Sequence, residues 1–217
     1  MKRSSDEAIW ELCLKGDKRA FEELYKRFYP LLYNYGCKFS ADKDLIRDCI
    51  QNLFVRLIQN HRTLSKTALV KGYLLKAFRN HLYDMLKAQS EQKEMFPCID
   101  EILTFESESV LSATDKSASL KYAIMKLAFM ELPLRQQEIL YLFYVAEVSH
   151  ADISSAFDIN YQSSKNLLYR SLIKFRELYF LKWKEAQIHG NKVISIIHTP
   201  KIKDIVNWLN PEFAKEC

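Results

Sequence analysis

The sequence predicts an all-α protein: two small helical domains joined by a flexible acidic linker. Three observations lead there. Glycine (4) and proline (5) are scarce in 217 residues, which disfavours turn-rich β structure. Apolar residues recur at helical spacing through most of the chain. That periodicity fades between residues 88 and 119, where Ser and Glu are frequent ("FESESVLSATDKSAS") and Pro97 interrupts.

The first helix starts at Ser4-Ser5-Asp6-Glu7, a capping residue with acids in the first turn. Ile9, Leu12 and Cys13 keep its spacing, and Gly16-Asp17 ends it. The second runs from Lys18, with Phe21, Leu24, Phe28, Leu31 and Leu32 on one stripe. Pro30 inside it predicts a kink or break near Tyr29. Asp42 to about Asn60 is the third helix, with Leu45, Ile46, Cys49, Ile50, Leu53 and Leu57 inward. His61 to Lys71 is polar and irregular, and "YLLKAFRNHLYDMLK", Tyr73 to Lys87, follows as a helix. It would be anchored by Leu74, Ala77, Phe78, Leu82 and Met85 or Leu86.

The second module opens with a helix over Leu120–Met130. Pro133 then takes the first position of the helix "PLRQQEILYLFYV". Ser149-His-Ala-Asp152 has capping-box form and begins a short helix through Phe157. A three-residue turn, "DIN", leads to a long helix from Tyr161 to about Trp183, with Asn160 as its cap. In the tail, "NKVISIIHTP" has strand character and "IKDIVNWLN" suits a helix. The expected division is 1–90, 91–118 as linker, 119–180, and 181–217 as an extension.

Charge is uneven. Residues 1–90 carry 17 Lys/Arg against 10 Asp/Glu, a net +7. Residues 91–118 carry 2 against 7, a net −5. A basic module beside an acidic connector suits a polyanionic partner. It also suggests that the linker can lie against a basic face in the free chain. Five cysteines (13, 37, 49, 98, 217) stand singly, so reduced and mostly buried thiols are expected. Met1-Lys2-Arg3 leads straight into a polar helix start, and no apolar run approaches the roughly 20 residues that span a bilayer. The expected location is cytoplasmic, with no membrane insertion. Five histidines (61, 81, 150, 189, 198) lack partners at metal spacing, and there is no Gly-rich phosphate loop or G-x-S-x-G. Hence no catalytic residue, cofactor or metal is expected, and an enzyme is disfavoured.

A short helix, a three-residue turn and a longer helix make a helix-turn-helix pattern. Such a unit sets the start of its second helix against major-groove edges. Those residues are Tyr161, Gln162, Ser163, Lys165, Asn166, Tyr169 and Arg170. Gln and Asn can pair with adenine, Lys and Arg with guanine or phosphate. Ser164, Leu168, Leu172, Ile153 and Phe157 would face inward. The pattern alone fits an ordinary helical hairpin almost as well.

Residues 132–178, "LPLRQQEILYLFYVAEVSHADISSAFDINYQSSKNLLYRSLIKFREL", resemble region four of the sigma factors of bacterial RNA polymerase. "DKRAFEELYKRFYPLLYNYG", "DLIRDCIQNLFVRL" and the Tyr73–Lys87 helix resemble region two. Two regions in this order, without region three between them, is the layout of the extracytoplasmic-function (ECF) class. The resemblance implies three partners: core polymerase, met at the β′ coiled coil and the β flap; promoter DNA; and an anti-sigma factor. On the third helix, Asp44, Asp48, Gln51, Asn52, Phe54 and Val55 would bind polymerase. Asn52 replaces the Glu usual there. For the minus-ten element the resemblance implies Arg62, Lys66, Lys71, Tyr73, Lys76, Arg79, Asn80 and Lys87, with Tyr73 in place of the usual Trp. Aromatics, amides and cations suit an opened strand, whose bases must be stacked and whose phosphates held. The loop from His61 to Lys71 would form a pocket for a flipped base. Leu167 stands where many members carry Arg. A helix-turn-helix regulator that binds duplex DNA without polymerase would have no need of region two.

Overall fold

Three helices of the amino-terminal unit begin on a residue that satisfies their open amide groups from its own side chain. Ser5 accepts from the Ala8 amide, Asp17 from Arg19 and Ala20, and Asp42 from Asp44 and Leu45. These caps lie where the polar residues before each apolar stripe place them. The structure is a computed structural model that describes residues 4–88 and 116–189. Among these, the elements are α1 (Asp6–Leu14), α2 (Lys18–Gly36), α3 (Lys43–Gln59), a 3-10 turn (His61–Thr63), α4 (Val70–Ala88), α5 (Lys116–Met130) and α6 (Leu134–Leu140). A π-helical turn (Tyr141–Val145), α7 (His150–Phe157) and α8 (Tyr161–His189) complete them. No strand occurs among the described residues. The linker up to residue 115 and the tail from residue 190, with its strand and helix expectations, lie outside them.

Two compact units result: Met1–Cys98 with Ser149–Ser164, and Ile99–Val148 with Lys165–Cys217. The first is a bundle of α1 to α4 with α7 added. Its core is Ile9, Trp10 and Cys13 of α1, Phe21, Leu24, Phe28 and Leu32 of α2, Leu45 to Leu57 of α3, and Leu74, Phe78 and Leu82 of α4. Each such side chain contributes on the order of 1.5–3 kcal/mol by leaving water. Cys13, Cys37 and Cys49 are free and buried. Burial pushes the Cys13 thiol up to about 12 and the Cys49 thiol up to about 11.

The second helix does not break at Pro30; α2 is continuous from Lys18 to Gly36. Proline removes one bond to the carbonyl four residues earlier, that of Lys26. Pro30 and Lys26 are both exposed, so water can satisfy that carbonyl. Gly16, at φ +84°, turns the chain between α1 and α2 in the left-handed region that glycine tolerates.

In the second unit Phe129 meets Phe175 edge to face at 6.0 Å. The buried Gln137 donates to the carbonyls of Met130 and Leu132 at 3.2 and 2.7 Å, tying the end of α5 to α6. Lys182 pairs with Glu131. Three boundaries differ from expectation. α5 starts at Lys116. Pro133 precedes α6 with ψ 141°, an extended value, instead of lying in its first turn. α8 runs to His189, between one and two turns past Trp183.

Candidate nucleic-acid interface

The start of α4 is assembled from residues far apart in sequence. Trp10 of α1 donates its indole N–H to the Ser65 carbonyl at 3.1 Å, and its ring lies 5.2 Å from that of Tyr73. Glu11 pairs with Lys66 at 2.5 Å, and the hydrogen bond from Lys66 holds the Glu11 carboxyl below its ordinary range. Thus α1 staples the loop that leads into α4. The sequence spacing of α1 showed only a buried stripe and carried no sign of this role.

On α4 itself Tyr73 is half-buried, and burial raises its phenol above the ordinary range. Asn80 and Lys87 are exposed; Lys71, Lys76 and Arg79 are partly exposed. The Arg79 guanidinium lies 4.6 Å over the Tyr83 ring and 5.4 Å over the Phe157 ring. Lys76 donates to Asp158 at 2.8 Å, which holds that carboxyl below its ordinary range. Arg62 and Lys66 are exposed on the preceding loop. The eight residues expected on this face therefore fall along one loop and one helix, with an aromatic flanked by cations and an exposed amide. Of the expected anchors, Leu74, Phe78 and Leu82 are buried, while Ala77, Met85 and Leu86 are partly exposed. Gly72 and Leu75 are buried as well. Periodicity missed these two.

α7 closes over Gly72. A Cβ on Gly72 would stand 2.6 Å from the Asp152 carbonyl oxygen and 2.8 Å from Ser155 Cβ. The Gly72 amide, one of the first-turn donors of α4, gives its hydrogen to Asp152 Oδ1 at 2.9 Å. Asp152 Oδ2 accepts from the Ser149 hydroxyl at 2.6 Å, and Ser149 Oγ accepts from the Asp152 amide. Half of the expected capping box forms: Ser149 Oγ caps the Asp152 amide, but the Asp152 carboxylate accepts from the Ser149 hydroxyl and not from the Ser149 backbone N–H, and its other oxygen serves a second helix.

The turn after α7 is Asp158-Ile159-Asn160, with Asp158 left-handed at φ 56°. Asn160 Oδ1 accepts from the Ser163 amide at 2.7 Å and caps α8. Tyr161 (53% exposed), Gln162, Lys165, Asn166, Tyr169 (61%) and Arg170 lie outward on α8, and Ser163 is partly exposed. Ser164, Leu168, Leu172, Ile153 and Phe157 are buried. Direct readout needs this separation of polar and apolar positions.

On α3, Asp44, Asp48, Gln51, Asn52 and Val55 are exposed. Phe54 is 5% exposed and meets Tyr25 edge-on at 5.0 Å, so it supports this face from beneath. Arg47 pairs with Asp44 at 2.7 Å. His81 is partly buried, and that burial, with the charge of Arg56 second, lowers its pKa. Among the described residues no cluster of His, Cys, Asp or Glu could hold a metal ion, and no helix is long and apolar enough to cross a membrane.

Known proteins match both parts. Residues 24–92 match the family model for sigma-70 region 2, and residues 123–175 that for sigma-70, region 4. The ECF RNA polymerase sigma factor SigM of Bacillus subtilis (strain 168) is 22% identical over 158 residues, covering 73% of this chain and 94% of the relative. The solved structure of CnrH in complex with the cytosolic domain of CnrY covers 85% of this chain and 99% of CnrH, with a TM-score of 0.56 and 15% identity. At that identity the likeness is one of fold.

Proposed function

Because the chain is a sigma-70-family protein of the extracytoplasmic-function type, carrying regions two and four, we propose that it binds core RNA polymerase, recognises two promoter elements and opens one of them. One observation carries the reading: two different sigma regions stand in one chain, and each has a polar or basic face outside its own core. A repressor that reads duplex DNA has use for the second only.

The roles divide by chemistry. The α3 face, with Asp44, Asp48, Gln51, Asn52 and Val55, docks on the polymerase β′ coiled coil, and region four meets the β flap. Carboxylates beside an apolar residue complement a basic, apolar helix pair. Tyr73, Arg79 and Asn80 of α4, flanked by Arg62, Lys66, Lys71, Lys76 and Lys87, hold the opened minus-ten strand by stacking, amide pairing and phosphate contacts. Tyr161 to Arg170 on α8 read the minus-thirty-five element in duplex form. The chain catalyses no reaction of its own and works in the cytoplasm, where polymerase is. An anti-sigma polypeptide holds it inactive; a solved structure on this fold, CnrH in complex with the cytosolic domain of CnrY, supports that reading.

In vitro transcription with core polymerase, followed by mapping of start sites, tests the reading. Promoter-dependent initiation that requires the chain is expected. Failure to associate with core, with duplex binding retained, would make it a helix-turn-helix regulator instead.

A further inference from the structure

Trp10 has no surface of its own: its side chain is 0% exposed. It can touch no nucleic acid, yet it touches both parts that would. Its indole N–H donates to the Ser65 carbonyl at 3.1 Å, and its ring lies 5.2 Å from that of Tyr73, tilted by 57°. Ser65 belongs to the loop between the 3-10 turn and α4, and Tyr73 to the first turn of α4. From Leu64 to Leu69 that loop is neither helix nor strand, so its backbone has no repeating ladder to hold it. A carbonyl paired from the core fixes one planar peptide unit, and with it the direction in which Lys66 leaves the chain.

Two neighbouring contacts run in parallel. Glu11, next to Trp10, pairs with Lys66, next to Ser65. Gly16, just past α1, lies against His61, where an added Cβ would stand 3.0 Å from the imidazole Nε2. The contacts are unequal in strength. The Glu11–Lys66 pair is exposed, and such pairs contribute little and yield to salt or to a phosphate. The Trp10 bond has a fully buried donor, with no water to turn to if the carbonyl moves away.

We propose that Trp10 is a positioning residue for strand capture, holding the loop and the Tyr73 platform in register from inside the core. The proposal rests on the reading of that loop and α4 as the strand holder. A free loop must be ordered when a strand binds, and that ordering subtracts from affinity. A loop held beforehand avoids the loss.

The test uses the full chain assembled with core polymerase. Trp10→Phe keeps most of the ring and removes the donor. Leu32→Val, in the buried core of α2, lowers the stability of the same unit without touching the loop bond. Two affinities are measured for each: for core polymerase, and for a short fluorescent single strand copied from the minus-ten region of a mapped start site. Trp10→Phe should weaken strand binding about tenfold and leave core association within about twofold. Leu32→Val should leave both within about twofold. Asn80→Ala serves as the control for the strand holder itself.

Unchanged strand affinity in Trp10→Phe would overturn the proposal. So would an equal loss in Leu32→Val, or a loss of core association as large as that of strand affinity, because the bond would then serve the fold alone. If Trp10→Phe has no effect while Asn80→Ala weakens strand binding, the strand-holder reading survives without the proposal. If Asn80→Ala has no effect either, that reading falls too.

Discussion

The indole N–H of Trp10 reaches the Ser65 carbonyl at 3.1 Å across 55 positions of sequence. The same ring packs against Tyr73. The first helix is therefore the clamp of the loop before α4.

Trp10→Phe should keep most of the packing and lose the hydrogen bond. The expected loss of stability in the first unit is about 1–3 kcal/mol, from the unpaired carbonyl and the smaller ring. Urea unfolding measures it. Hydrogen exchange of residues 64–69 should quicken more than that of α3.

Asn80 is exposed and remote from the core. Asn80→Ala should change stability by less than about 0.5 kcal/mol and leave core association intact. Permanganate footprinting of the promoter should show a loss of opened thymines. A full footprint would remove Asn80 from the strand-holding set.

On α3, surface and support separate. Asp48→Lys should weaken association with core polymerase at unchanged stability, since Asp48 is exposed. Phe54→Ala should destabilise the first unit by about 3–5 kcal/mol, because Phe54 is buried against Tyr25. Association measured beside thermal unfolding tells the two apart. Weaker binding by a Phe54→Leu variant of native stability would put that ring on the interface itself.

His81 gives a pH dependence. Its pKa in the fold is lowered by burial and then by Arg56, with Asp84 opposing. The unfolded chain therefore takes up a proton near pH 6.5 while the folded chain still refuses it. Stability contributed by neutral His81 is complete above that pH. It is lost as pH falls from about 6.5 through the lower folded value. His81→Gln should flatten this part of the stability curve, measured by urea unfolding between pH 7.5 and 5.

The caps at Ser5, Ser149 and Asn160 were legible because capping is local: donor and acceptor lie within three residues. Both sigma regions and the outward positions of α8 were legible for a similar reason, being set by motif and helical spacing. Three things were not. The burial of Gly72 and Leu75, the role of Trp10 and the partner of Lys76 depend on elements 55 to 82 residues away. A stripe of apolar residues marks which side of a helix is covered, not by what. The break that Pro30 allowed does not occur: α2 runs on through it, with the freed carbonyl on the exposed Lys26.

Asp152 divides its carboxylate between two helix beginnings, its own through Ser149 and that of α4 through Gly72, 80 positions earlier. Asparagine would keep one acceptor oxygen and turn the other into a donor; the Ser149 hydroxyl would still cap the residue-152 amide, but one carboxylate could no longer accept from Ser149 and Gly72 at once. Any event that frays residues 149–152 must be felt at once at residue 72. Two segments that the chain writes far apart thus melt, or hold, together.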